Sequence, residues 1–401
     1  MAENFLSLSA LQAVNYLLPL ITLPYLVRVL GPEKFGLIAF AQAFIQYFNI
    51  LTDYGFNLSA TREISIHRDN KEKISEIFSS VMITKIGLMI ISFLILSVLV
   101  FTIPKFRNDW LIYFFTFGMV IGQILFPVWF FQGMERMKYI TILNIVAKGI
   151  FTICIFIFIR KMADYLYVPL INSMGFLVAG GLSLRIVSKD FGIKFILPSF
   201  KAIKHQLKEG WHIFISTAAI SLYTNTRIFA VGLFTNNTIT GYYAIAEKLI
   251  NVIQTFPLSS LLQTLYPRLS KIYLENKEKA KKLMDRFQNL TIVIYLLVLP
   301  LIFVATPPIV KIVTGAPYKE VIVSFRLLLI AVFFINANAF RVQFLLVMGK
   351  YNIFARIHLI MGIIGLLLTF LATYFFSYIG TATSIIVVEF VILVLTIKYY
   401  K

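Results

Sequence analysis

The chain has 401 residues, of which 59% are apolar and only 14% charged, with a formal net charge of +19. A soluble domain carries about 25% charged residues and is at most half apolar, so this composition excludes a soluble globular protein. The basic residues fall in short stretches between apolar runs, which is the pattern of cytoplasmic loops under the positive-inside rule and not that of a nucleic-acid-binding surface.

Apolar runs long enough to cross a bilayer fall at 8–30, 36–58, 77–101, 109–131, 139–160, 165–187, 211–235, 239–265, 286–306, 321–348, 353–376 and 379–398. Each needs about 20 residues, so the runs consume most of the apolar fraction and predict an all-α membrane protein with about 12 transmembrane helices. The start, Met1-Ala2-Glu3-Asn4, lacks the basic segment of a cleaved signal peptide, so the first run is expected to remain a membrane helix. That run contains Pro19 and Pro24, which interrupt the backbone ladder and permit a bend. The second run opens on Gly36-Leu37-Ile38-Ala39-Phe40-Ala41 and carries Asp53 near its end; the third contains Lys85 and the fifth Lys148. The seventh contains Arg227, and the eighth opens on Gly241-Tyr242-Tyr243-Ala244-Ile245-Ala246 and carries Glu247 and Lys248. Arg326, Arg341, Arg356 and Glu389 follow in later runs.

Loop charge sets the orientation. The stretches after the even-numbered runs, with the C-terminal tail, hold about twenty Lys and Arg against about seven on the opposite side, which places both termini in the cytoplasm. Basic loops are expected near 59–76, 188–210 and 266–285. Trp110, Trp129 and Trp211 fall at predicted helix ends, where indoles favour the membrane interface. The only cysteine, Cys154, lies inside an apolar run, which excludes an intrachain disulfide and a cysteine-based metal centre.

The two G-x-x-A-x-A openings form an internal repeat. It is reinforced downstream, where Asn70-Lys71-Glu72-Lys73 recurs as Asn276-Lys277-Glu278-Lys279 at nearly the same offset. Parallel repeats related by an axis along the membrane normal are a transporter architecture. The expected organisation is a lobe over 1–190, a cytoplasmic linker over 191–210 and a second lobe over 211–401, giving two pseudo-symmetric six-helix lobes.

Several motifs now combine. Leu18-Pro19-Leu20-Ile21-Thr22-Leu23-Pro24-Tyr25-Leu26 leads into Arg28-Val29-Leu30-Gly31-Pro32-Glu33-Lys34-Phe35-Gly36. Asp53-Tyr54-Gly55-Phe56, Ala60-Thr61-Arg62-Glu63-Ile64-Ser65 and Phe126-Pro127-Val128-Trp129-Phe130-Phe131-Gln132-Gly133-Met134-Glu135 follow. This set resembles the Wzx-type polysaccharide-repeat-unit (O-antigen) flippases of the multidrug/oligosaccharidyl-lipid/polysaccharide exporter superfamily. The likeness is strongest over about the first 140 residues and continues through Gly241-Tyr242-Tyr243-Ala244 and Pro267-Arg268-Leu269-Ser270. It implies a V-shaped fold with a central cavity lined by the first, second, seventh and eighth helices, open alternately to either side. It also implies a substrate, an oligosaccharide on undecaprenyl diphosphate, moved across the cytoplasmic (inner) membrane. Membrane lipids and a polysaccharide polymerase are the implied neighbours, and no nucleic acid is expected.

Ionisable groups within a membrane are costly, so each is a functional candidate. Basic groups outnumber acidic ones here, and their surplus calls for a watery cavity or an anionic ligand such as a diphosphate, for which Arg and Lys are the natural partners. Arg227, Glu247 and Lys248 are expected at one depth on adjacent helices. Arg227 and Lys248 read as an anion site, with Glu247 tuning it or carrying a proton; the alternative is a structural Arg227–Glu247 ion pair. The corresponding first-half positions are Thr22, Gln42 and Ala43, so the second half bears the charge. Arg28, Asp53 and Lys148 complete the candidate substrate-binding set. Asp53 reads more readily as a helix-end group that fixes the following loop, with Lys85 as one partner for it, and Lys148 equally as a contact within its lobe. Gln12, Asn15, Gln42, Gln46, Asn49, Asn225 and Gln254 add polar groups that can meet sugar hydroxyls or glue helices together.

No HExxH, GxSxG or phosphate-loop pattern occurs, so no cofactor, metal or enzymatic activity is expected. A polymerase would show a large external loop and an acyltransferase a membrane histidine motif; His358 alone is not one. A drug exporter of the same fold would move cations and would want acidic cavity residues. A passive role in a glycan-assembly complex is the remaining alternative.

Overall fold

Long apolar stretches without two-residue alternation dictate helix, and the computed structural model forms no strand among the described residues. It describes residues 2–400, with side chains described for 18–219, 221–222, 224–254, 262, 265–266 and 268–400. Gln12, Asn15 and Pro267 therefore lie outside the described side chains.

The helices are α1 (Ala2–Asp53), α2 (Phe56–Ile66), α3 (Lys71–Thr102), α4 (Pro104–Arg107), α5 (Trp110–Leu125), α6 (Val128–Gly133) and α7 (Met137–Phe158). A 3₁₀ turn at Met162–Leu166 precedes α8 (Tyr167–Lys189), α9 (Phe200–Phe234), α10 (Asn237–Glu275), α11 (Lys277–Thr314), α12 (Lys319–Val347) and α13 (Tyr351–Tyr400). Eight stretches among the described residues are long and apolar enough to cross a membrane. Two of the longest helices are interrupted. In α1 the backbone breaks at Gly31, at φ 72°, a conformation glycine adopts freely, and Pro32 restarts the helix. In α13 the break is at Ser377, at φ 55°.

The chain divides into two compact units, Met1–Lys34 with Ile38–Ser221, and Phe35–Leu37 with Leu222–Lys401. In the first, α5 and α7 both pack along α8. Lipid tails are as apolar as leucine, so membrane helices associate through close packing and small residues. A Cβ on Gly122 of α5 would lie 2.6 Å from the Phe176 Cβ, and one on Gly175 of α8 would lie 2.6 Å from the Ala147 carbonyl oxygen. Phe44 stacks on Phe106 with centroids 4.8 Å apart. In the second unit α12 packs against α10, α11 and α13, and Leu269, Met284, Phe340 and Phe344 form a buried cluster.

Three sequence expectations are corrected. The fourth run does not continue as one helix through 131. Pro127 has no N–H and excludes Phe126 from the helical region, so α5 ends at Leu125 and α6 begins at Val128. The basic stretches 59–76 and 266–285 are mostly helix, not loop. Asn70 caps α3 by accepting from the Lys73 N–H at 2.9 Å, and Asn276 caps α11 by accepting from the Lys279 N–H at 2.8 Å. The Asn-Lys-Glu-Lys repeat is thus one helix start used twice, an asparagine cap with a glutamate in the first turn of each helix. Third, the segment 191–210 is irregular only as far as Ser199, because α9 begins at Phe200. Its irregular part runs along α3, where the Lys194 and Ile196 N–H groups donate to the Ser75 and Ser79 hydroxyls at 3.2 and 3.0 Å.

Candidate functional site

The second unit contains the charged cluster expected on adjacent helices. Asn236 caps α10 by accepting from the Ile239 N–H at 2.9 Å, and the tight α9–α10 turn it closes returns Glu247 to the level of Arg227. An Arg227 Nη1 stands 3.6 Å from a Glu247 Oε1, with both side chains largely buried. That separation is an ion pair but too long for a good hydrogen bond. The second Glu247 oxygen is buried without a hydrogen-bond partner. Lys248 is half-buried, and its Nζ lies 5.5 Å from the centroid of Phe35, a residue that clusters with the second unit. Two cations thus adjoin one carboxylate, leaving a local excess of one positive charge. A low-dielectric surrounding strengthens the attraction of such a cluster for an anion.

In the first unit, the repeat-related positions are uncharged. Thr22 is buried and donates to the Leu18 carbonyl at 3.0 Å, Gln42 is half-buried and Ala43 is buried. Asp53 ends α1 at a tight turn in which Tyr54 and Gly55 both take positive φ, 48° and 77°. Glycine is required there, since a Cβ on Gly55 would also lie 2.7 Å from Ile213. Lys85, only 5% exposed, places its Nζ 3.4 Å from the Asp53 Oδ1, the partner expected for it. The pair lines a polar cavity of about 240 Å³ together with Asn49, Asn57, Gln123 and Asn144. The Asn49 Nδ2 donates to Gln46 at 3.2 Å, while its Oδ1 is buried without a partner. Arg28, exposed on α1, and Lys148, half-buried on α7, are not among the residues that line this cavity. Gln123 and Asn144 were missed in the sequence, because seven helices contribute to the cavity and no single period reports it.

The motifs that carry the family resemblance build a scaffold in the first unit. Thr61 donates to the Trp129 carbonyl at 3.1 Å, and a Cβ on Gly133 would sit 2.6 Å from Ile64, so α2 and α6 lie in direct contact. Glu63 accepts from Gln206 at 2.7 Å and meets the His205 ring nitrogen at 2.9 Å, tying α2 to the start of α9. Arg68 pairs with Glu135 at 2.9 Å, and this side-chain hydrogen bond holds the Glu135 carboxyl below the usual carboxylate range. Arg62 is exposed.

Among the described residues no group of three His, Cys, Asp or Glu side chains could hold a metal ion.

A family model described as polysaccharide biosynthesis protein matches residues 1–273. A protein of Escherichia coli (strain K12) named a candidate O-antigen transporter is 31% identical over all of this chain and 96% of its own length. A like-named protein of Shigella dysenteriae is 30% identical over the full length of both. Among solved structures, an inward-facing multidrug resistance MATE family transporter of the MOP superfamily superposes with a TM-score of 0.75 at 14% identity, covering 99% of this chain and 98% of that one. The lipid II flippase MurJ in an inward closed conformation superposes with a TM-score of 0.70 at 11% identity, covering 97% and 87%. At such identities the two structures establish a shared transporter fold and nothing finer.

Proposed function

The chain belongs to the polysaccharide biosynthesis protein family, and on that premise we propose that it flips polyprenyl-diphosphate-linked oligosaccharide repeat units from the inner to the outer leaflet of the cytoplasmic membrane. Alternating access between two six-helix lobes, over 1–190 and 211–401 with the linker 191–210 and both termini in the cytoplasm, is the mode of transport. About twelve crossings complete this topology. The chain acts as a carrier and performs no covalent chemistry; surface polysaccharide assembly by a polymerase follows its step.

The observation that carries this reading is the Arg227–Glu247–Lys248 cluster, with two cations against one carboxylate at a buried level. A diphosphate brings about two negative charges, and an inside-negative potential pushes them outward with about 2.3 kcal/mol per charge per 100 mV. That bias acts only if the charge can enter a low-dielectric region, and fixed cations lower the cost of entry. Arg227 supplies a planar fork suited to phosphate and Lys248 a point charge. Glu247 holds Arg227 in place between cargoes or carries a proton. Arg28, Asp53 and Lys148 are secondary substrate contacts. A drug exporter of the same fold would move cations, which this cluster repels.

The test is surface polymer display in cells lacking the wild-type gene. Arg227→Glu, expressed at wild-type level, is expected to abolish display and accumulate lipid-linked repeat units inside, while Arg227→Lys keeps partial activity. Normal polymer from Arg227→Glu overturns the cationic-site reading.

A further inference from the structure

The irregular segment ahead of α9, held to α3 by Ser75 and Ser79, has an outer face that those contacts leave open. Phe195 and Leu197 are 60% and 89% exposed, and Phe200, which opens α9, is 80% exposed. Lys194, Lys201 and Lys204 stand among them, all exposed. Among the described residues no carboxylate lies within ion-pair distance of these three lysines. From Gly192 to Lys208 the chain has no acidic residue. Bare aromatic and aliphatic side chains interleaved with unpaired lysines are the composition of a segment that lies in a membrane interface.

The depth of this segment follows from α3. An upright helix crosses a hydrocarbon core of about 30 Å in about 20 residues. Helix α3 ends at Thr102, and Lys105 and Arg107 follow on that side. Counted back from Thr102, the core ends near Ile83. The exposed stripe of Ile86, Ile90, Leu94 and Val98 lies within it, whereas Ile77, Phe78, Val81 and Met82 are buried against protein. Ser79 is four residues beyond Ile83, about 6 Å, and Ser75 eight, about 12 Å. The headgroup band is about 5–7 Å deep on each side of the core. Lys194, docked at Ser75, is thus just outside that band and Ile196, docked at Ser79, is inside it. One more extended residue, about 3.3 Å, brings Leu197 to about 3 Å from the acyl chains. The barest apolar side chain of the segment is the one nearest the lipid.

We propose that this face docks on the leaflet it adjoins, cytoplasmic in the orientation proposed above, and gathers anionic phospholipids there. Leu197 and Phe195 enter the upper acyl region, and Lys194, Lys201 and Lys204 meet headgroup phosphates. Apolar insertion alone would serve on any lipid surface; the three unpaired lysines select a negative one, by about fivefold per lysine. The site shares no residue with the Arg227 cluster. It requires only that the chain spans a membrane, so it stands or falls apart from the transport reading.

The test uses the full-length protein with Cys154→Ser and Leu197→Cys, the new thiol carrying bimane, in vesicles of phosphatidylcholine with phosphatidylglycerol as the minor lipid. A nitroxide near the top of an acyl chain should quench the bimane strongly, and aqueous iodide weakly. The same label on Asp69→Cys, in the turn before α3, should show the reverse. With equal amounts of nitroxide lipid, label carried on phosphatidylglycerol should quench at Leu197→Cys several-fold more than label carried on phosphatidylcholine, and high salt should reduce the difference. Lys194→Gln, Lys201→Gln and Lys204→Gln combined should bring the ratio to one with an unchanged melting temperature, since the three side chains are exposed and unpaired. Quenching at Leu197→Cys by iodide and not by lipid overturns the docking and leaves the face to a soluble partner. Equal quenching by the two labelled lipids in the protein with its lysines intact overturns the anionic selection.

Discussion

Arg227 and Glu247 can be separated into a stability role and a transport role by a double-mutant cycle. At 3.6 Å the pair has a direct attraction of about 4–5 kcal/mol at an effective dielectric of about 20. Desolvation of two largely buried groups offsets most of it, so the net value of the intact pair is small. Removing either partner leaves the other less well compensated, although Lys248 still adjoins Glu247, at a cost of up to about 3–5 kcal/mol. Arg227→Met and Glu247→Met are therefore each expected to lower the melting temperature of the purified protein by several degrees. The Arg227→Met/Glu247→Met double variant should recover to within about 1 kcal/mol of wild type, since apolar replacement of a buried pair is close to neutral. Thermal unfolding followed by tryptophan fluorescence in detergent measures the stability side, and polymer display in cells measures the other. A recovered fold with no display is the expected result. If the double variant restores both, the pair is only a structural brace and the reasoning that places a substrate charge at Arg227 fails.

Further outcomes follow from the same geometry. With Cys154 changed to Ser, cysteines at Asn70, Lys204 and Asn276 should resist an impermeant thiol reagent in intact cells; labelling of any one without lysis reverses the orientation. Asn70→Ala and Asn276→Ala each remove a helix cap and should cost about 1 kcal/mol, while Asn→Asp restores it; equal melting temperatures for the Ala and Asp variants would deny the cap its value. Glu247→Gln should abolish the pH dependence of transport in reconstituted vesicles if Glu247 carries the proton, and an unchanged profile removes that role.

Much of the fold was legible because its signals are local. The gap between the first two apolar runs falls at Gly31-Pro32, where α1 breaks, and Asn-Lys-Glu-Lys was legible as a repeat, though the sequence set it in loops and only the structure shows it starting two helices. Asp53 with Lys85 was one of the pairings the sequence offered, beside a substrate-binding reading of Asp53, and the structure sets the two 3.4 Å apart. Other features needed coordinates. Pro127 breaks a run that hydropathy reads as continuous, since the window averages over a residue whose effect is steric. Basic residues after Arg268 looked like loop because charge ends a membrane span, yet charge does not end a helix, and α10 continues to Glu275. The polar cavity around Asn49, Gln123 and Asn144 joins residues from separate helices and leaves no trace in any one stretch. The family motifs were legible as a signature but not as a role; Thr61, Glu63 and Gly133 turn out to hold α2, α6 and the start of α9 together.

The strap over α3 has its own arithmetic. Ser75 and Ser79 are one helical step of four residues apart, about 6 Å. The N–H groups of Lys194 and Ile196 are two extended residues apart, about 6.6 Å. The two pitches nearly coincide, so an extended chain can dock on a helix at two successive points, as a rack meets a pinion. The lock depends on residue count more than on side chains: Phe195 and Leu197 point outward, 60% and 89% exposed, and their identity leaves the two donors where they are. Inserting one residue between Lys194 and Ile196 would put the second donor out of step with Ser79. The free length of chain ahead of α9 is thus metered at its origin, and a change of length there would reach Glu63 and His205 as slack.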